Sequence, residues 1–188
     1  GAAVVAVQAL IVMGALDISS ARQISARGSL SGAAIGGLLF GVGMVFTGLV
    51  GSAVMHIDAL GLVGTVFGEA ALVYVVYGSV LAALGGVALY IGSLTGRPLP
   101  DVPVILLALI GFLATVLASL PHYVAGFMDQ PANTAMGYSD AGLVGVANVA
   151  VALGHALMLV VVVAFVGLVA KSRRGTPSAD RYQTQVST

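Results

Sequence analysis

The chain is poor in charged residues and has neither cysteine nor tryptophan. Asp, Glu, Lys and Arg together make up 7% of its 188 residues, and their charges cancel at neutral pH. The missing cysteine excludes disulfide bonds and metal centres held by thiolates. The sequence also has no nucleotide-binding loop, nucleophile triad pattern or HExxH motif, so it gives no sign of the enzyme classes that use them. What is abundant is apolar, because 59% of the residues are hydrophobic.

Long apolar runs hold nearly all of the chain. All but the first exceed the roughly 20 residues that a helix needs to cross about 30 Å of hydrocarbon. The runs are continuous rather than alternating, and a backbone in lipid must satisfy its own hydrogen bonds, which favours helices over a barrel. We predict an all-α, polytopic transmembrane helix bundle within residues 1–171, followed by a polar cytoplasmic tail at 172–188. Its five spans are predicted at 1–16, 30–55, 60–94, 102–128 and 140–170.

The few basic residues are confined to one side of the predicted membrane. With five spans, all basic residues fall on one side of the membrane: Arg22, Arg27, Arg97, Lys171, Arg173, Arg174 and Arg181. The connections on the other side carry Asp58, Asp129 and Asp140 and no basic residue. Basic residues collect on the cytoplasmic side of membrane proteins. We therefore expect the N-terminus outside and the C-terminus in the cytoplasm.

Glycine is frequent inside the predicted spans. Gly37 and Gly41, and likewise Gly64 and Gly68, stand four residues apart. On a helix this spacing lets two backbones approach closely. It predicts tight packing within the bundle, and small residues on further helix faces make contact with other subunits plausible.

Several short stretches occur in an order that resembles a known family. They are Phe46–Val50, Ile57–Asp58, Gly78, Gly85–Gly86, Tyr90–Pro98, Pro121–Met128 and Tyr138–Asp140. From about Ala33 to Arg174, their order and spacing resemble the C-terminal half of subunit I of the heme-copper oxygen reductases, the cytochrome c oxidase family. The resemblance implies the arrangement of that family's helices eight to twelve, the last five. It also implies a place in a respiratory membrane, and we expect a prokaryotic plasma membrane.

The departures from the family pattern concern its cofactors. The positions of the tenth-helix heme-ligand histidines hold Ala70 and Leu72, whose side chains have no lone pair for iron. The family's paired arginines, which neutralise heme propionates, are replaced by Asp129 and Gln130. The copper ligands belong to earlier helices that the resemblance does not cover. The resemblance thus implies no cofactor in this chain, with heme and copper in partner subunits.

Two polar groups inside the predicted third span are candidates for proton chemistry. Glu69 lies about nine residues into that run, where a lone carboxylate costs several kcal/mol. It is therefore either a proton carrier or a neutral, hydrogen-bonded packing residue. Tyr77, eight residues further, is placed to share a face with Glu69 and accept its proton in a hydrogen bond.

The histidines offer weaker candidates. His155 is in the middle of the last run, and Asn148 lies two turns earlier on a similar face, which predicts a small polar seam. A lone histidine is more often a packing residue than a metal ligand, because ligation needs further donors. His56 and His122 fall near the outer ends of their helices. With Asp58, Asp129 and Asp140 they form a hypothetical cation site.

Three functions remain open at this point. The favoured one is a non-catalytic, oxidase-like accessory subunit that packs with other membrane subunits in a respiratory or redox complex, without nucleic acid. The second is a proton or ion translocating subunit that uses Glu69. The third, one half of a split heme-copper oxidase, conflicts with Ala70 and Leu72 at the heme-ligand positions.

Overall fold

The computed structural model describes residues 31–95, 98–130 and 141–174, which are helical apart from short connections. Four long helices follow one another along the chain: α1 (Gly32–Val54), α2 (Phe67–Thr95), α3 (Asp101–Phe127) and α4 (Ala141–Arg174). All four are long and apolar enough to cross a membrane. The prediction of an all-helical membrane bundle is thereby confirmed. The first predicted span, 1–16, lies outside the described residues. The tail predicted from residue 172 is helical as far as Arg174, where α4 ends, and lies outside the described residues from 175 onward.

A side-chain cap marks the start of α1, and prolines mark the start of α3. The Ser31 hydroxyl accepts a hydrogen bond from the Ala34 amide at 3.1 Å, which satisfies one free donor at the start of α1. The same hydroxyl donates to Asp101 at 2.5 Å, so it also joins the starts of α1 and α3. Pro100 precedes α3, and Pro103 falls in its first turn, where a proline removes no helical hydrogen bond.

The connection between α1 and α2 differs from the predicted run that starts at residue 60. A short 3₁₀ helix at Asp58–Leu60 is followed by Gly61 and Gly64 with positive φ angles of 61° and 83°. Such angles interrupt a helix and favour glycine. The Thr65 hydroxyl then accepts from the Phe67 amide at 3.3 Å, and α2 begins there. Gly64 is therefore outside the helix, and the predicted helical pair of Gly64 with Gly68 is wrong.

Glycines bring α1 and α2 into backbone contact. A Cβ atom on Gly41 would lie 2.3 Å from the Ala82 nitrogen, and one on Gly48 would lie 2.6 Å from the Ala71 oxygen. Gly85, near the end of α2, meets Leu38 near the start of α1, so the two helices are antiparallel. Of the predicted pair on α1, only Gly41 is tightly packed, because a Cβ on Gly37 would meet no atom within 4 Å.

The other helices pack around α2 and α3, each of which contacts the remaining three. Gly126, at the end of α3, lies against the backbone of Phe67, which starts α2. On α4, Gly154 lies against Ala118 of α3, since a Cβ atom on Gly154 would lie 2.5 Å from the Ala118 nitrogen. The bundle consequently has two ends. The acidic end holds the starts of α2 and α4, and the basic end holds Lys171 near the end of α4.

Candidate functional site

Glu69 is at the acidic end of the bundle rather than deep within a helix. Because α2 begins at Phe67, Glu69 falls in the first helical turn. Its side chain is 48% exposed. A carboxylate in a first turn interacts favourably with the helix dipole. The large burial cost expected from counting along the apolar run therefore does not apply.

The imidazole of His122 on α3 lies next to the Glu69 carboxylate. Its Nε2 atom lies 3.6 Å from a Glu69 carboxylate oxygen, and its side chain is 20% exposed. Its Nδ1 is 2.9 Å from the Ala118 carbonyl, to which it can only donate. Nε2 then faces the carboxylate. The two side chains form an ion pair only when the imidazole carries a proton on Nε2 as well as on Nδ1.

Aromatic rings pack beside this pair. Tyr123 of α3 contacts Phe67 with ring centroids 4.8 Å apart, and Phe67 in turn contacts Phe127 at 5.2 Å. Tyr74 of α2 lies 6.0 Å from Tyr123 between ring centroids. These edge and tilted contacts join the start of α2 to the end of α3. They fix the two helices that carry Glu69 and His122.

Tyr77 has a different partner from the one predicted. Its hydroxyl forms a hydrogen bond with Nδ1 of His155 on α4. The two rings meet edge to face, with centroids 5.8 Å apart. Tyr77 lies ten residues after Phe67, where the span begins. At 1.5 Å per residue, this places Tyr77 about 15 Å along the helix from its start. Glu69 and Tyr77 thus belong to separate polar contacts, one at the acidic end and one at mid-span.

Asn148, the other residue of the predicted polar seam, lies on the outer surface of α4. Asn148 is exposed, and so is His155 seven residues later. Tyr77 is half-buried between α2 and α4. Asn148 and His155 therefore lie on the outside of the bundle, with the Tyr77 contact at one edge of that surface.

The other predicted positions are dispersed. At the heme-ligand positions of the resembled family, Ala70 is fully buried and Leu72 is 53% exposed. The Nδ1 atom of His56, just beyond the end of α1, lies 2.8 Å from the Ser52 carbonyl oxygen. Asp140 lies outside the described residues. Within the described ranges, no three acidic or histidine side chains gather where they could hold a metal ion.

Sequence reasoning missed two buried polar residues of α3. Thr115 is fully buried and donates to the Gly111 carbonyl at 2.8 Å. Ser119 is nearly as buried, and its hydroxyl has no hydrogen-bond partner among the described residues. Their spacing of four residues, continued by Tyr123, was the available signal, since it places all three on one side of α3.

Comparisons of the chain with known protein families, characterised proteins and solved structures give no match.

Proposed function

We propose that this protein is a non-catalytic integral membrane subunit that packs within a larger respiratory or redox membrane complex. The observation that carries the proposal is the outward-facing polar contact of His155 with Tyr77 at mid-span. A polar group exposed to hydrocarbon is costly, and such residues normally face a bundle interior or another protein. A neighbouring subunit over this surface would remove the exposure.

The resemblance to the last helices of oxidase subunit I supports a redox complex as the setting. Packing glycines that belong to the resemblance, Gly48, Gly78 and Gly85, lie at the contact of α1 with α2. The positions that would hold heme have Ala70 and Leu72, which offer no ligand atom. Heme and copper, where the complex uses them, are therefore assigned to partner subunits.

The proposal is tested by purifying the complex in mild detergent and then separating this chain from its partners. We expect other membrane polypeptides to co-purify with it. A pyridine hemochrome spectrum should show no heme on the separated chain. Heme that stays on the separated chain in near-equal amount would contradict the proposal, and so would a chain that purifies without any partner from gently solubilised membranes.

The orientation is proposed from the charges. Asp58 lies at the acidic end, and Lys171 lies at the basic end, which the distribution of basic residues assigns to the cytoplasm. Single cysteines are easily introduced because the chain has none. In intact cells an impermeant maleimide should label Asp58→Cys and leave Lys171→Cys unlabelled. The reverse pattern would invert the orientation.

Proton translocation is the second candidate function, and the contact of Glu69 with His122 is the observation that favours it. The pair joins a carboxyl group and an imidazole, two groups that can carry protons, at an exposed end of the bundle, where a transfer path could begin. Glu69→Gln keeps the size and hydrogen-bonding capacity of the side chain but removes the titrating carboxylate. In an accessory subunit, the assembled mutant complex should keep near-normal proton-coupled activity. A fully assembled mutant with a large loss of proton translocation would establish the second function instead.

A further inference from the structure

The hydroxyl of Ser119 on α3 is buried without a hydrogen-bond partner among the described residues. Only 1% of this residue is exposed. Other hydroxyls of the spans behave differently, since those of Thr47, Ser79 and Thr115 each donate to the carbonyl four residues earlier in their own helix, at 2.7 to 2.9 Å. Buried polar groups are almost always paired with protein or with ordered water. The Ser119 hydroxyl therefore requires a partner that the described helices do not supply.

Contacts on both sides of Ser119 show that it faces α2. Gly126 lies against Phe67 of α2, and a Cβ atom on Gly111 would lie 2.5 Å from a side-chain carbon of Leu81. Ser119 falls midway between these two glycines along α3. It is seven residues from Gly126, which is about two turns and places both on the same side of the helix. The buried hydroxyl thus belongs to the contact of α3 with α2.

Two tyrosines flank this position. Tyr123 follows Ser119 by four residues, and helical side chains lean back toward the N-terminus, so the Tyr123 side chain lies over the turn that contains Ser119. Tyr74 is level with Ser119 on α2, and its ring centroid is 6.0 Å from that of Tyr123. The Tyr123 hydroxyl makes no hydrogen bond within the described residues either. Two hydroxyls with unused hydrogen-bonding capacity therefore lie one turn apart.

We propose that a bound water molecule joins the Ser119 hydroxyl to the Tyr123 hydroxyl. The two make no direct hydrogen bond, and polar groups somewhat beyond direct reach are commonly bridged by water. The Tyr123 hydroxyl is inside the bundle, because its oxygen lies 3.1 Å from the position that a Cβ atom on Gly51 of α1 would take. A buried water makes two to four hydrogen bonds. The Thr115 carbonyl, one turn before Ser119, offers a third partner through its second lone pair.

The water would lie further into the bundle than the contact of Glu69 with His122. Ser119 precedes His122 by three residues, which is about 4.5 Å along the helix. The Glu69 side chain is 48% exposed at this end, so the site is near solution. The water site goes beyond the function proposed above, because it is formed by this chain alone and needs no partner subunit.

Ser119→Ala in the full chain separates a hydrated site from a dry one, because the two give opposite results. If water is bound, the variant removes one of its partners, and the thermal unfolding midpoint in detergent micelles should fall by about 2–4 °C. If the site is dry, the variant deletes an unpaired buried hydroxyl. A midpoint that stays the same or rises would therefore overturn the proposal. Ser79→Ala is the matched control and should change little, since that hydroxyl bonds only to its own helix.

Radiolytic labelling detects the water directly. Hydroxyl radicals that X-rays generate from a bound water react with the side chains beside it. In water enriched in the heavy oxygen isotope, we expect the label on Tyr123 in the unmodified chain and in Ser79→Ala. Ser119→Ala should lose most of that label. Equal labelling of Tyr123 in all three proteins would overturn the water site.

Discussion

The contact between α1 and α2 and the outer surface of α4 are built from similar residues but have different surroundings. Between α1 and α2, a Cβ on Gly78 would lie 2.7 Å from the Val45 nitrogen, so the two backbones touch. On α4, a Cβ on Gly145 would meet nothing within 4 Å. Small residues alone therefore do not specify a contact. A close contact also requires a second helix that presents small residues at the same height along the bundle.

Both regions share a seven-residue repeat. The buried seams repeat as Ala34, Gly41 and Gly48 on α1, and as Ala71, Gly78 and Gly85 on α2. On the outside of α4, Gly145 and Ala152 are also seven apart, as are Asn148 and His155. A seven-residue repeat suits helices that cross at about 20°. The outer repeat of α4 has the periodicity of an interface, which fits a helix from another chain.

The largest effect is expected from filling the seam between α1 and α2. Gly41→Ala should lower the free energy of unfolding by about 3 kcal/mol, because the new methyl group would overlap the Ala82 backbone and separate the helices. The measurement is the denaturation midpoint in detergent micelles. Gly37→Ala, one turn earlier, is the matched control and should stabilise by about 1 kcal/mol through helix propensity. Similar losses in both variants would mean that α1 packs in another register.

A smaller effect is expected at the edge of the outer surface. Tyr77→Phe removes only the hydroxyl that joins α2 to α4 through His155. The free energy of unfolding should fall by about 1 kcal/mol, as for other hydrogen bonds between membrane helices. Tyr74→Phe is the control, because its ring contacts Tyr123 and it leaves the His155 contact intact. If the control lost as much stability, the hydrogen bond would not be the cause.

Most of the helical architecture could be predicted because apolar length decides it. The predicted spans 30–55 and 102–128 agree with α1 and α3 to within two residues at each end. The start of α2 could not be placed by apolar content, since the stretch from Leu60 to Val66 is apolar but contains glycines with positive φ. Hydropathy does not report backbone conformation. That single error moved Glu69 from the end of a helix to an apparent interior position.

The polar contacts could be predicted only in part. The residues that matter, Glu69, Tyr77, His122 and His155, stand out because polar side chains are rare in this apolar chain. Their pairing depends on which helices are neighbours and on how each is rotated. Periodicity along one helix could not show that Tyr77 meets α4 or that Glu69 meets α3.

The smallest effect is expected at the acidic end, where water reaches the polar contact and weakens it. Glu69→Gln should lower the free energy of unfolding by about 0.5 kcal/mol, because it removes the carboxylate that lies 3.6 Å from the His122 imidazole. Thermal unfolding of the single variants Glu69→Gln and His122→Asn and of the double variant isolates the interaction between the two side chains. A coupling energy of zero would rule out an attraction between them, and the mid-span Tyr77–His155 hydrogen bond would then be the better candidate for polar chemistry in this bundle.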